Sequence, residues 1–168
     1  MKQLWAPWRL EWVKDDKEKI KNSCPFCDLP KEKPSKDNLV IERNEYYSIF
    51  LNRYPFNNGH IMIIPRKHCS DPSELSKKEW QECSSGIQHS TEVLRKLYEP
   101  QGFNIGMNIG RAGGAGIPGH LHWHLVPRWI GDSNFMPILA ETKCLPGHLE
   151  SMYEELSQAF LTASQQKS

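Results

Sequence analysis

The chain has 168 residues, of which 38 % are hydrophobic and 24 % charged; this supplies one packed domain with appendages and excludes disorder throughout. Lys and Arg number 21 against 20 Asp and Glu, for a net charge of +1, so the composition offers no broad basic footprint for nucleic acid or an anionic membrane. No apolar run approaches the ~20 residues of a membrane span, and Met1-Lys2-Gln3-Leu4-Trp5-Ala6-Pro7-Trp8-Arg9 lacks the continuous apolar stretch of a signal peptide. Five cysteines, an odd number, are too sparse for a secreted disulfide scaffold, and the cytoplasm is the expected compartment.

In chain order, residues 1–23 read as an N-terminal arm, aromatic and then charged. Residues 28–38, with two prolines and several charges, read as loop. Three β-prone runs follow: Leu39 to Arg43, Tyr46 to Leu51 and Ile61 to Pro65, the last two separated by the turn-rich Asn52 to Gly59. Asp71-Pro72-Ser73-Glu74 has the signature of a helix start, and Trp80, Cys83, Ile87, Leu94 and Leu97 recur at helical spacing to about Tyr98. Gly102 to Ile109 predicts another strand, followed by a glycine-rich turn and a strand from His120 to Val126. Leu149, Met152, Leu156, Phe160 and Leu161 then predict a C-terminal helix. The pattern implies an α+β fold, an antiparallel sheet with a long helix packed on it. The expected division is an arm (1–23), a domain (24–140) and a helical tail (141–168).

His120, His122 and His124 alternate with Leu121, Trp123 and Leu125. In a strand this puts three imidazoles on one face and three apolar side chains on the other. Such a face suits catalysis; an exposed histidine strand and a three-histidine metal site are the alternatives. Cys24-Pro25-Phe26-Cys27 has the spacing of zinc ligands, but also that of a redox pair or of thiols in a turn. Gly110 to Gly119 holds five glycines in ten residues, which lets backbone N–H groups approach a phosphate, although a mobile turn has the same composition. Arg111 in this loop is a candidate phosphate clamp or a solvated side chain.

His120-Leu121-His122-Trp123-His124-Leu125-Val126 resembles the histidine triad motif of the HIT superfamily of nucleotide hydrolases and transferases. Asn52 and His60, within Asn-x-x-Pro-x-x-x-Gly-His, resemble its upstream motif, and Pro65-Arg66-Lys67-His68 its continuation. Leu4 to Arg9 and Pro127 to Phe135 resemble the branch acting on diadenosine polyphosphates. The resemblance implies His122 as nucleophile, forming a nucleotidyl-histidine intermediate. It implies a backbone carbonyl beside His120 that fixes the His122 tautomer, His124 as phosphate contact or proton donor, and His60 as support. Asn52 is implied at the ribose, and Asn108 and the loop around Gly116 at the phosphates, together with His124. Ile117 and Pro118 stand where relatives carry Ser or Thr, so a hydroxyl contact there is not expected.

Zinc-bearing members pair the two cysteines with His68 and His120, which implies a structural Cys24–Cys27–His68–His120 zinc site. Cys69, Cys83, Cys144, His89 and His148 are read as structural or incidental. The expected activity is hydrolysis or phosphorolysis of dinucleoside polyphosphates such as diadenosine tetraphosphate. A purine nucleoside phosphoramidase and a non-catalytic nucleotide-binding module are the competing functions. The expected partners are the nucleotide and, by resemblance, a second copy of the chain in a homodimer; neither nucleic acid nor a membrane is expected.

Overall fold

The computed structural model describes residues 23–132 and 147–166. The expected arm before Ser23, the Ser133–Phe135 end of the branch-specific segment and Cys144 lie outside the described residues.

Five strands, β1 (Val40–Arg43), β2 (Tyr47–Leu51), β3 (Ile61–Pro65), β4 (Gly102–Met107) and β5 (Trp123–Arg128), form one antiparallel sheet in the order β1-β2-β3-β5-β4. Its central strands are buried on both sides, and the period-2 alternation sorts their side chains. Ile49, Leu51, Ile61, Ile63, Leu121, Trp123 and Leu125 join the larger core, with Leu94, Leu156 and Phe160 from the helices. Phe50, Met62 and Ile64 face the other way, in a smaller cluster with Val40 and Phe26. The register pairs Phe50 with Met62 and Met62 with His124, so His124 continues this second face. The α+β expectation therefore holds, and the histidine face is the one the long helices leave open.

The 22-residue helix α2 (Lys77–Tyr98) and helix α3 (Leu149–Gln165) cover the first face, where α2 packs on β2, β3 and β5, and α3 on α2 and β1. The Tyr153 hydroxyl donates to the Val40 carbonyl (2.9 Å) and fixes α3 to β1. The expected helix start at Asp71 is corrected. Asp71 caps only a 3₁₀ turn, Pro72–Glu74, with its own capping box. Extended Leu75 and Ser76 break the chain, and α2 begins from a second capping box, Ser76 with Glu79. Two Asx/Ser–Glu boxes stand five residues apart, and their identical local chemistry does not distinguish which begins the long helix. The strand expected from His120 also begins later, at Trp123.

Gly86 lets α2 approach the sheet: a Cβ there would lie 2.9 Å from Cζ of buried Tyr47. Gly86→Ala is expected to destabilise the fold by about 1 kcal/mol net, because overpacking of ~1–3 kcal/mol outweighs the gain in helix propensity. Urea unfolding with an unchanged m-value is the check.

Candidate functional site

A short helix α1 (Pro25–Asp28) lies on the second face of the sheet. Together with the Asn52–His60 connector, the glycine-rich loop and the triad it surrounds a cleft of about 260 Å³. Phe26, Leu29, Phe50, Met62 and Ile117 form apolar walls; Asn52, Asn108, Gly116, His122 and His124 bring the polar groups. Asn52, Asn108, Gly116 and His124, expected at a nucleotide, thus line one cleft with His122. Arg111 is exposed and outside the lining.

Hydrogen bonds from backbone and neighbouring rings fix the state of each imidazole. The His122 Nδ1–H donates to the His120 carbonyl (2.8 Å), which leaves Nε2 with the lone pair. Burial holds this imidazole below the usual histidine range, and the hydrogen bond opposes that only in part. The result is a neutral ring with one basic nitrogen.

A second chain runs through His60, which is fully buried. The Phe56 backbone N–H donates to His60 Nδ1 (2.9 Å), so the ring hydrogen of neutral His60 is on Nε2. Nε2–H then donates to His124 Nδ1 (3.0 Å), and neutral His124 carries its own hydrogen on Nε2. Asn52 is oriented by the Tyr54 backbone N–H, which donates to its Oδ1 (2.9 Å). Its Nδ2 lies 3.3 Å from His60 Nε2, a contact between two hydrogen-bearing atoms in this tautomer. The His122 and His124 rings stand 5.0 Å apart, one presenting a lone pair and the other an N–H.

His120 turns to a different task. Its Nε2–H donates to the Pro65 carbonyl (2.9 Å), so Nδ1 carries the lone pair. That atom lies 3.2 Å from Cys24 Sγ, 3.4 Å from Cys27 Sγ and 3.3 Å from His68 Nδ1. Cys27 Sγ is 3.2 Å from His68 Nδ1, and all four atoms fall within 4.8 Å of one another. Tetrahedral zinc, with Zn–S ≈ 2.3 Å and Zn–N ≈ 2.0–2.1 Å, requires neighbouring donors about 3.3–3.8 Å apart. The donor set and spacing therefore fit a closed metal site. Burial, and then neighbouring Cys24, push the Cys27 thiol up to about 11, so a metal bound there would have to displace its proton. The Leu121 N–H donates to the Cys69 carbonyl (2.6 Å), which holds the loop carrying His68 beside the triad.

Two aromatic residues that the sequence motifs do not single out pack on the histidines. Phe26 sits edge-on to His120 (ring centroids 5.7 Å) and over His122 (5.2 Å). Phe56 stacks on His60 at 4.9 Å and 24°. The place of Phe26 between the two cysteines was the available signal; the position of Phe56 carried none. Asn57, also missed, donates through Nδ2 to the Pro127 carbonyl (3.1 Å) and Asp132 (2.8 Å), tying the connector to the end of β5. His89 lies 3.7 Å from Glu42 and edge-on to Phe160, and Cys69 and Cys83 are buried free thiols, in keeping with structural roles. His148 is the N-cap position of α3 and makes no side-chain cap.

This sheet, with a triad on its open face, defines a histidine triad protein, and a HIT domain profile matches residues 33–129. The chain belongs to the HIT domain family. It is 32 % identical over 152 residues to an AP-4-A phosphorylase of Mycobacterium tuberculosis, covering 87 % of this chain and 77 % of the relative. It is 27 % identical over 115 residues to an asymmetrical bis(5'-nucleosyl)-tetraphosphatase of Schizosaccharomyces pombe, covering 68 % and 63 %. Among solved structures, a Zn-bound histidine triad family protein from Mycobacterium smegmatis shares the fold, with a TM-score of 0.67, 24 % identity, and coverage of 86 % of this chain and 97 % of the other. No described helix is long and apolar enough to cross a membrane.

Proposed function

We propose that this protein is an enzyme that cleaves dinucleoside polyphosphates, such as diadenosine tetraphosphate, through a nucleotidyl-histidine intermediate on His122. The observation that carries the reading is the His122 tautomer: Nδ1–H is tied to the His120 carbonyl, and the basic Nε2 belongs to a residue of the cleft. The names of the M. tuberculosis and S. pombe relatives support the substrate class.

In this mechanism His122 Nε2 attacks the α-phosphorus and forms a P–N bond as the bond to the departing polyphosphate oxygen breaks. The His124 Nε2–H contacts the phosphate or protonates the leaving oxygen, while His60 holds His124 Nδ1. Water or inorganic phosphate then attacks the same phosphorus, the P–N bond breaks and His122 is restored. Asn52 is assigned to the ribose, and Asn108 and Gly116 to the phosphates. A cleft of about 260 Å³, near the small end for ligand sites, suits one nucleotide of the pair. Zinc held by Cys24, Cys27, His68 and His120 would have a structural role, because four protein donors would leave no open position for substrate.

Incubation with diadenosine tetraphosphate, with and without phosphate, tests the function. ADP plus ATP formed only with phosphate identifies a phosphorylase, and AMP plus ATP without it a hydrolase. No turnover of several dinucleotides under either condition overturns the reading. His124→Ala is expected to slow turnover by ~10²–10⁴-fold, and least for substrates with a weakly basic leaving group. A loss independent of the leaving group would remove His124 from proton donation.

We further infer a cytoplasmic homodimer. Support for pairing is the edge strand β4, which among the described residues pairs only with β5 and leaves Asn104, Ile105 and Gly106 exposed. Cys24, Cys27, Cys69 and Cys83 are joined by no disulfide, which suits a reducing compartment.

A further inference from the structure

We propose that the metal site and the nucleotide cleft are coupled, with Phe26 as the positioning residue between them: a metal ion on Cys24, Cys27, His68 and His120 raises affinity for a nucleotide, and a bound nucleotide raises affinity for the metal. This rests on the nucleotide reading given above and adds to it a linkage between two sites.

The first link is the Cys24–Cys27 turn. Pro25 and Phe26 stand between two metal-directed sulfurs, and both line the cleft, as does Leu29 just beyond. Helix α1 has four residues and no side-chain cap at Cys24, so it has no stability of its own. Two things hold it in place. One is the convergence of its sulfurs on His68 and His120. The other is the Phe26 ring, 8 % exposed, packed 5.8 Å from Phe50 and 5.2 Å from His122. A metal that fixes both sulfurs thereby fixes the ring that walls the cleft.

The second link is His120. Its Nδ1 belongs to the donor cluster, while its carbonyl accepts the hydrogen bond that sets the His122 tautomer. The same residue is thus oriented from the metal side and orients the phosphate side. Metal and nucleotide both favour one docked position of α1 and His120, so the coupling is positive, and linkage requires that it be equal in both directions.

The test uses the full, zinc-loaded chain. Zinc affinity is measured by competition with a chromophoric chelator, with and without AMP at a concentration that saturates each protein in its own titration. AMP is expected to tighten zinc binding about tenfold in the wild type. Phe26→Ala is expected to abolish this increment, and Phe26→Leu, which keeps part of the apolar bulk at the position, to retain part of it. A ring that served only to stabilise the fold would lower zinc affinity equally with and without AMP, leaving the increment intact. An intact increment in Phe26→Leu and Phe26→Ala overturns the role of Phe26. Equal zinc affinity with and without AMP in a wild type that binds AMP overturns the coupling alone. No AMP binding to the zinc-loaded wild type overturns the nucleotide reading, and the coupling with it.

Discussion

His122→Ala is expected to lower kcat for diadenosine tetraphosphate on the order of 10⁵–10⁶-fold, the scale reached when a covalent nucleophile is removed. No neighbour can replace it. His120 Nδ1 is directed to the cysteines, His60 Nδ1 accepts the Phe56 N–H, and His124 Nδ1 accepts from His60. His122 Nε2 is therefore the basic ring nitrogen of the triad available to a phosphorus atom. The His122 side chain lines the cleft rather than the helix-covered core, so the fold is expected to survive with an unchanged circular dichroism spectrum. His122→Gly with added imidazole is expected to recover part of the activity, because the free base can enter the vacated space. Quenched wild-type reactions should carry one nucleotidyl group on the peptide containing His122. Near-wild-type turnover by His122→Ala, or an adduct on another peptide, would disprove the mechanism.

The second large effect concerns the metal. Protein purified without chelators is expected to contain about one zinc per chain. A ligand present at 1,000 times its Kd contributes ~4 kcal/mol to stability. For a chain of this size each kcal/mol shifts Tm by ~2–4 °C, so stripping the metal is expected to lower Tm by about 10 °C. Cys24 and Cys27, both only partly buried, should resist alkylation in the loaded protein and react once the metal is removed. Cys69 and Cys83, 2 % and 0 % exposed, should stay protected in both states. Absence of zinc, with Cys24 and Cys27 alkylated in the folded protein as purified, would refute the site.

Strand β5 and both long helices were legible because each obeys a local period, and β1 to β3 because each is a β-prone run bounded by turn signals. Leu121, Trp123 and Leu125 alternate with the histidines, and Met152, Leu156 and Phe160 recur at helical spacing; these are the residues buried in the core. The start of α2 was misread because Asp71 and Ser76 carry the same capping chemistry. Only the extended backbone at Leu75 decides which of them begins the long helix. Helix α1 was not foreseen at all, because four residues containing a proline hold no period.

For the site, the primary structure by itself determined which residue types are available and that His122 and His124 share a face, since β geometry makes alternation automatic. It also placed two thiols within reach of one ion, as Cys-x-x-Cys spacing is local. What only the tertiary structure decided is the state of each ring. The acceptor for His120 is the Pro65 carbonyl, 55 positions away in the chain, and the partner of His124 is His60, 64 positions away. Antiparallel pairing of β3 with β5 brings these groups together, and a hydrogen-bond partner from a distant strand leaves no trace in local spacing. The same holds for the metal donors: Cys24 and His120 lie 96 positions apart, and their 3.2 Å contact exists only because α1 folds onto the face of the sheet that α2 and α3 leave open.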